Sequence, residues 1–178
     1  MTTSLNDLTG TWTLDNTHTR LGFVTRHAMI TKVRGSFNDF TGTVTVPEGG
    51  ISAAEAKVTI NASSIDTRNA DRDGHLKSND FFDMETYPEI TFNSTKIAAN
   101  GEGGVDVTGD LTIKGSTKSV TIPFSYEGTA TDPFGNQRAG FEGTTVINRS
   151  DFDLTWNAAL ETGGVLVSEK VTLEIEVS

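Results

Sequence analysis

The chain has 178 residues, no cysteine and a formal net charge of −10 at pH 7. Its length fits a single domain over residues 1–178, and its acidity argues against a nucleic-acid partner or docking on anionic lipid, both of which need basic surfaces. The absence of cysteine excludes disulfides, thiolate nucleophiles and cysteine-based metal sites.

The first residues have neither a basic start nor an apolar run, so they lack the pattern of a signal peptide. No stretch of the sequence is long and apolar enough to cross a membrane. We therefore expect a soluble, cytoplasmic protein.

Apolar and polar residues alternate with a period of two along most of the chain, a pattern typical of antiparallel strands with one buried face. Turn sequences at 47–50, 100–104, 114–116 and 132–136 separate the alternating runs. The sequence therefore predicts an all-β fold of about eight strands.

Either two sheets stack as a sandwich, or one sheet closes into a barrel. Small and large residues alternate in the apolar rows, and glycines lie inside strands at Gly35, Gly42, Gly109 and Gly143, which favours a barrel. The interior of a barrel of about eight strands is either filled or wide enough for one small ligand. If it is open, the apolar faces predict a cavity lined by Leu21, Phe23, Phe37, Ile60, Phe92, Leu111, Ile113, Ile122 and Phe124.

The segment 61–88 breaks the alternation and predicts one short helix from about Asn69 to Asn79, between the fourth and fifth predicted strands, with Asp66 or Asn69 as its cap. We expect residues Ile65 to Phe82 to act as a lid that gates the barrel. Its predicted lid and mouth residues are Ile65, Leu76, Phe81 and Phe82 on the apolar side, Arg72, Asp73 and His75 on the polar side, and His27 at the end of its strand.

The polar residues of this region allow two interpretations. Arg72 and Asp73 are either a latch or headgroup contact at the mouth, or a solvated pair of little energetic value. His27 either binds a ligand carbonyl or only satisfies a loop backbone group. Arg149 is expected to tie its own turn through carbonyl groups and Asp151.

Neither a catalytic nor a metal site is predicted. The three histidines lack the spacing of a zinc helix, and the chain has no Gly-x-Ser-x-Gly elbow or phosphate-binding glycine loop.

Several groups of residues, in order along nearly the whole chain, resemble the YceI-like domain family. They are Trp12-x-Leu14-Asp15-x-x-His18, Leu21-x-Phe23-x-x-x-His27, Val33-x-Gly35-x-Phe37-x-x-Phe40-x-Gly42, Ser64-Ile65, Arg72-Asp73-x-His75-Leu76-Lys77-Ser78-x-Asp80-Phe81-Phe82-Asp83, Tyr87-Pro88-x-Ile90-x-Phe92, Val107-x-Gly109-x-Leu111-Thr112-Ile113-Lys114-Gly115 and Ile147-Asn148-Arg149-x-Asp151-Phe152. The chain departs from the family pattern at Asp153, where glycine is usual, and at Thr19, where serine is usual.

The resemblance implies a lipocalin-like antiparallel β-barrel that binds a polyisoprenoid or similar long-chain amphiphile inside, with no catalytic mechanism and no cofactor apart from a bound polyisoprenoid lipid. We expect an isoprenoid quinone or a polyprenyl phosphate, held for carriage, storage or sensing. The alternatives are an acid–base enzyme on the same barrel, using His27 and a nearby carboxylate, and a filled barrel that serves as a stress-response or interaction scaffold. A homodimer is possible, and the sequence leaves the oligomeric state open.

Overall fold

The computed structural model describes residues 8–27, 30–78, 81–101, 103–154 and 168–178, without the side chain of His27. These residues form one antiparallel sheet of 11 strands and one α-helix. The elements are β1 (Gly10–Thr13), β2 (Arg20–His27), β3 (Thr31–Phe37), β4 (Phe40–Val46), β5 (Glu55–Asn61), β6 (Ile65–Asp66), α1 (Ala70–Lys77), β7 (Glu89–Ala99), β8 (Gly104–Ile113), β9 (Ser116–Thr131), β10 (Gln137–Asn148) and β11 (Lys170–Val177).

The sheet curls strongly, so that strands near its two ends come close together. In the order β1-β4-β5-β7-β8-β9-β10-β11-β2-β3-β6, strands β3 and β4 lie near opposite ends, yet only Asn38 and Asp39 connect them in the chain. Backbone hydrogen bonds from Asn38 N to Ser64 O (3.3 Å) and from Asn61 N to Asp39 O (2.9 Å) fix this seam. The predicted all-β antiparallel barrel is confirmed as a curled, incompletely closed sheet.

The structure has 11 strands where the sequence predicts about eight. Strands β1 and β6 contain four and two residues, and runs this short carry almost no alternation signal. The helix consequently follows the sixth strand instead of the fourth. It begins after Asn69, whose side chain accepts a hydrogen bond from Arg72 N at 3.0 Å, as an N-cap does. The helix ends at Lys77, with the extended residue Ser78 as its C-cap, which is two residues before the predicted end at Asn79.

Two apolar clusters pack at opposite ends of the barrel. The upper cluster contains Ile90, Ile147 and Phe152, and the lower cluster contains Val46, Ile97 and Val105. Strand β10 spans both, because Ile147 belongs to the upper cluster and Phe141 packs against the lower one. These two positions are six residues apart, which is about 20 Å along a strand.

Among the described residues, no helix has the length and apolar character that a membrane-spanning helix needs.

Candidate functional site

The curled sheet surrounds an apolar cavity of about 300 Å³, which we call the main cavity. Among its described lining residues, Thr25 and Arg149 alone have polar side chains. The Thr25 hydroxyl is hydrogen-bonded to Ser168 Oγ at 3.0 Å. The surface offered to a ligand is therefore almost entirely hydrocarbon, and its volume is at the lower end of the range of ligand pockets.

The structure places all of the predicted lining residues on this cavity: Leu21, Phe23, Phe37, Ile60, Phe92, Leu111, Ile113, Ile122 and Phe124. The prediction left out the inward row of β11, formed by Val171, Leu173, Ile175 and Val177, and also Leu14, Val44 and Phe141. The β11 row has the same alternation as the predicted rows, so the sequence contained the signal. A ligand-binding role for these residues stays a prediction.

Phenylalanine rings lie against glycines of neighbouring strands. Phe23 covers Gly35, and a Cβ added to Gly35 would overlap ring atoms of Phe23. Phe124 covers Gly143 in the same way, with its Cδ1 2.8 Å from the position of an added Cβ. We call each such glycine a shelf glycine. The lack of a side chain at these glycines lets a phenylalanine ring approach the backbone closely. The same glycines can also help the sheet to curl.

The apolar part of the lid lies over the upper end of the main cavity. Ile65, Leu76, Phe81 and Phe82 all line it. The rings of Phe82 and Phe37 meet edge to face, with centroids 6.0 Å apart. Backbone hydrogen bonding from Phe82 N to Leu76 O (3.0 Å) folds the segment back onto the end of α1.

The polar lid residues face away from the cavity lining. Arg72 donates from Nε to Thr67 Oγ1 at 2.8 Å and from Nη2 to Thr67 O at 2.5 Å. Asp73 Oδ1 accepts from Thr67 N at 3.0 Å. Arg72 and Asp73 thus form a latch that fastens α1 to the loop after β6. The rings of His75 and Phe81 pack edge to face, with centroids 5.1 Å apart. The side chain of His27 is not among the described parts of the chain.

The upper end of the cavity contains a buried arginine. Arg149 is 4% exposed; its Nε donates to Ser168 O at 2.9 Å, and its Nη1 donates to Leu154 O. Burial lowers the pKa of Arg149, and nearby Glu169 acts in the opposite direction. The expected hydrogen bonds from Arg149 to carbonyl groups are present. The acidic residue that acts on Arg149 is Glu169, which is remote in sequence, and not the expected Asp151.

A second cavity of about 410 Å³, which we call the lower chamber, adjoins the main cavity at the other end. Both are lined by Leu14, Val44, Ile51 and Phe141. The walls of the lower chamber are otherwise of mixed polarity and include Thr11, Trp12, Asp15, Asn136, Gln137, Arg138 and the terminal Ser178.

Two members of an ion-pair network, Asp15 and Arg138, line the lower chamber. Arg138 binds Asp15 Oδ2 through Nη1 at 2.5 Å and Asp132 Oδ2 through Nε at 3.0 Å. His18, followed by Thr17 and Arg138, holds the pKa of Asp15 well below its usual range through hydrogen bonds. The backbone N–H of Asn136 lowers the pKa of Asp132, and the bond to Asp15 raises the pKa of Arg138. All three groups of this network are therefore charged at neutral pH.

Fold and site together define a curled antiparallel barrel with an internal apolar cavity, one end of which is lined by the residues of the predicted lid. The family model of the YceI-like domain matches residues 12–178, and the chain belongs to this family.

Proteins with related sequences include a UPF0312 protein of Vibrio parahaemolyticus, 41% identical over 77% of this chain and 72% of the relative. A UPF0312 protein of Pseudomonas aeruginosa is 44% identical over 77% of this chain and 71% of the relative.

Solved structures with a similar fold include BcnA of Burkholderia cenocepacia, with a TM-score of 0.79 and 27% identity over 92% of this chain and 98% of that one. A polyisoprenoid binding domain from Saccharophagus degradans matches with a TM-score of 0.65 over 93% of this chain and 95% of that one. Its sequence identity is 20%, so this second likeness concerns the fold.

Proposed function

We propose that this protein binds one long-chain amphiphile, a polyisoprenoid, with its tail in the main cavity. The observation that carries the proposal is the lining of that cavity, which is hydrocarbon apart from Thr25 and Arg149 among the described residues. A buried lining of this kind is stable in contact with an apolar chain and unfavourable in contact with water.

The tail alone supplies enough affinity. Burial of each methylene contributes about 0.8 kcal/mol, so several isoprene units give strong binding without any polar contact. Selectivity among tails then depends on cross-section, which the phenylalanine rings on the shelf glycines set. The fold likeness to a polyisoprenoid binding domain is consistent with this class of ligand.

The geometry favours binding over acid–base catalysis. The two polar side chains in the described lining are already engaged by protein groups, Thr25 by Ser168 and Arg149 by the carbonyls of Ser168 and Leu154. A general acid or base needs a titratable group within hydrogen-bonding reach of the reacting atoms. The proposal therefore assigns carriage, storage or sensing of the lipid, and no reaction.

A charge in the cavity wall tests the proposal. Leu111 lines the cavity and is 7% exposed, so Leu111→Asp should abolish uptake of a fluorescent isoprenoid by the delipidated protein, because an unpaired carboxylate would face the tail. Thr112→Asp, on the opposite face of the same strand, is the matched control and should retain uptake. Circular dichroism establishes that both variants are folded. Full uptake by folded Leu111→Asp would place the lipid elsewhere and refute the proposal.

A further inference from the structure

We infer that the lower chamber binds the headgroup of the amphiphile, and that it selects an uncharged headgroup with hydroxyl or carbonyl oxygens over a phosphate. This inference rests on the proposed function, because it assumes that the tail occupies the main cavity.

The position of the lower chamber suits a headgroup. It adjoins the main cavity at the side chains of Leu14, Val44, Ile51 and Phe141, which line both spaces. A chain that fills the main cavity from the lid downward therefore ends beside the lower chamber. An amphiphile needs a polar environment at one end of its tail, and this chamber supplies it.

The polar groups at the upper end do not serve this purpose. Arg72 and Asp73 are engaged with Thr67 and do not line the main cavity. Arg149 lines it, but this residue is 4% exposed and its guanidinium donates to the carbonyls of Ser168 and Leu154. In the lower chamber, by contrast, the side chain of Arg138 is 30% exposed, and Arg138, Asn136 and Gln137 all line the wall.

The charge of the chamber decides the chemical class of the headgroup. Arg138 lies between the carboxylates of Asp15 and Asp132, and His18 Nδ1 is 2.8 Å from Asp15 Oδ2. The network has a net negative charge when His18 is neutral and no net charge when His18 is protonated, so in neither state does it offer the net positive charge that attracts a phosphate. A guanidinium has five N–H donors, and the two ion pairs engage Nη1 and Nε. The remaining N–H groups can donate to an uncharged oxygen, so the chamber offers donors without offering net positive charge.

Farnesol and farnesyl phosphate test this inference, because they share one tail and differ only in the headgroup. Calorimetry gives the ratio of their dissociation constants for the full chain. We expect the wild type to bind farnesol more tightly. Asp132→Asn should shrink this preference by about fivefold, because it removes one carboxylate beside Arg138. The asparagine retains the side-chain oxygen that accepts from Phe134 N and Asn136 N.

Asp110→Asn is the matched control, since it removes the same charge from an exposed position on β8. It should leave the ratio unchanged. Trp12 lines the lower chamber, so in a Trp156→Phe background its emission should respond to farnesol at the same concentrations as the calorimetric signal.

The possible results distinguish a failure of the headgroup inference from a failure of the proposed function. If farnesol binds but Asp132→Asn and Asp110→Asn give the same ratio, or if Trp12 emission does not respond, the headgroup lies outside the lower chamber and the inference is refuted while the proposed function stands. If neither ligand binds the wild type, the proposed function itself fails.

Discussion

At the scale of single residues, Asp153 has a backbone conformation that favours glycine. Its backbone is left-handed, with φ of 59° and ψ of 20°, at the end of the turn Arg149–Phe152. Glycine adopts this conformation without steric cost, and aspartate is among the few other residues that tolerate it. The Asp153 carboxylate also accepts a hydrogen bond from Ser116 Oγ at 2.7 Å.

Replacement of Asp153 by alanine should lower the free energy of unfolding by about 1–2 kcal/mol, because alanine has a Cβ that resists the left-handed conformation and no group to bind Ser116. Asp153→Gly should lower the free energy of unfolding by less, since it removes the hydrogen bond to Ser116 but adopts the left-handed conformation without steric cost. Urea denaturation of the two variants measures the difference. Equal losses would show that the backbone conformation contributes nothing.

The ion-pair network of the lower chamber predicts a pH dependence of stability. The folded-state pKa values of Asp15 and Asp132 lie below the ordinary range, so their stabilisation is complete above the ordinary carboxyl pKa of about 3.9 and is lost as the pH falls further. Thermal melts between about pH 5 and pH 2 should fall less steeply for Asp15→Asn than for wild type. If the melting temperatures of wild type and Asp15→Asn fall equally steeply with pH, Asp15 does not contribute to this pH dependence. Asp110→Asn is the control for the change in net charge.

At the scale of elements, the pairing of β2 with β3 sets the width of the main cavity. Phe23 is opposite Gly35 in the register, and the three atoms nearest to an added Cβ at Gly35 all belong to the Phe23 ring. Gly35→Ala should therefore push this ring into the cavity, with little backbone strain, and weaken farnesol binding by about tenfold.

Two further variants make the width prediction specific. At Gly22, on the same hairpin, the nearest atoms to an added Cβ belong to the flexible end of Arg20; Gly22→Ala should therefore leave binding intact. Adding Phe23→Leu to Gly35→Ala should restore affinity, because the smaller side chain no longer fills the space. If the double variant binds farnesol as weakly as Gly35→Ala does, displacement of the Phe23 ring is not the cause of the weaker binding.

The lid is the element that we expect to move. Helix α1 has no fully buried residue, so its displacement disrupts less packing than the opening of a strand pair, which would break ladder hydrogen bonds. Leu76→Ala should speed the transfer of a fluorescent isoprenoid to acceptor vesicles, measured by stopped flow, by more than it lowers stability. Lys77→Ala, on the exposed side of the helix, should leave the rate unchanged. An unchanged rate in folded Leu76→Ala would make the segment a fixed plug.

At the scale of the whole molecule, the sequence was informative where the signal was local. Alternation located the long strands and their inward faces, and Asn69 was recognisable as a cap. Contacts between remote positions were not accessible: Asp15 and Arg138 are 123 residues apart, so neither their pairing nor the lower chamber could be predicted. Gly35 and Gly143 were recognisable as glycines inside strands, but the ring that lies against each of them was not, because the strand register decides which ring meets which glycine.

The central claim is that the main cavity holds one polyisoprenoid chain. Native mass spectrometry of the purified protein tests it most directly, both as isolated and after delipidation followed by incubation with a polyprenol. The account predicts one lipid per chain for wild type and Thr112→Asp, and none for folded Leu111→Asp. A wild-type protein that stays lipid-free in both preparations, or a Leu111→Asp variant that takes up as much lipid as wild type, would contradict the claim.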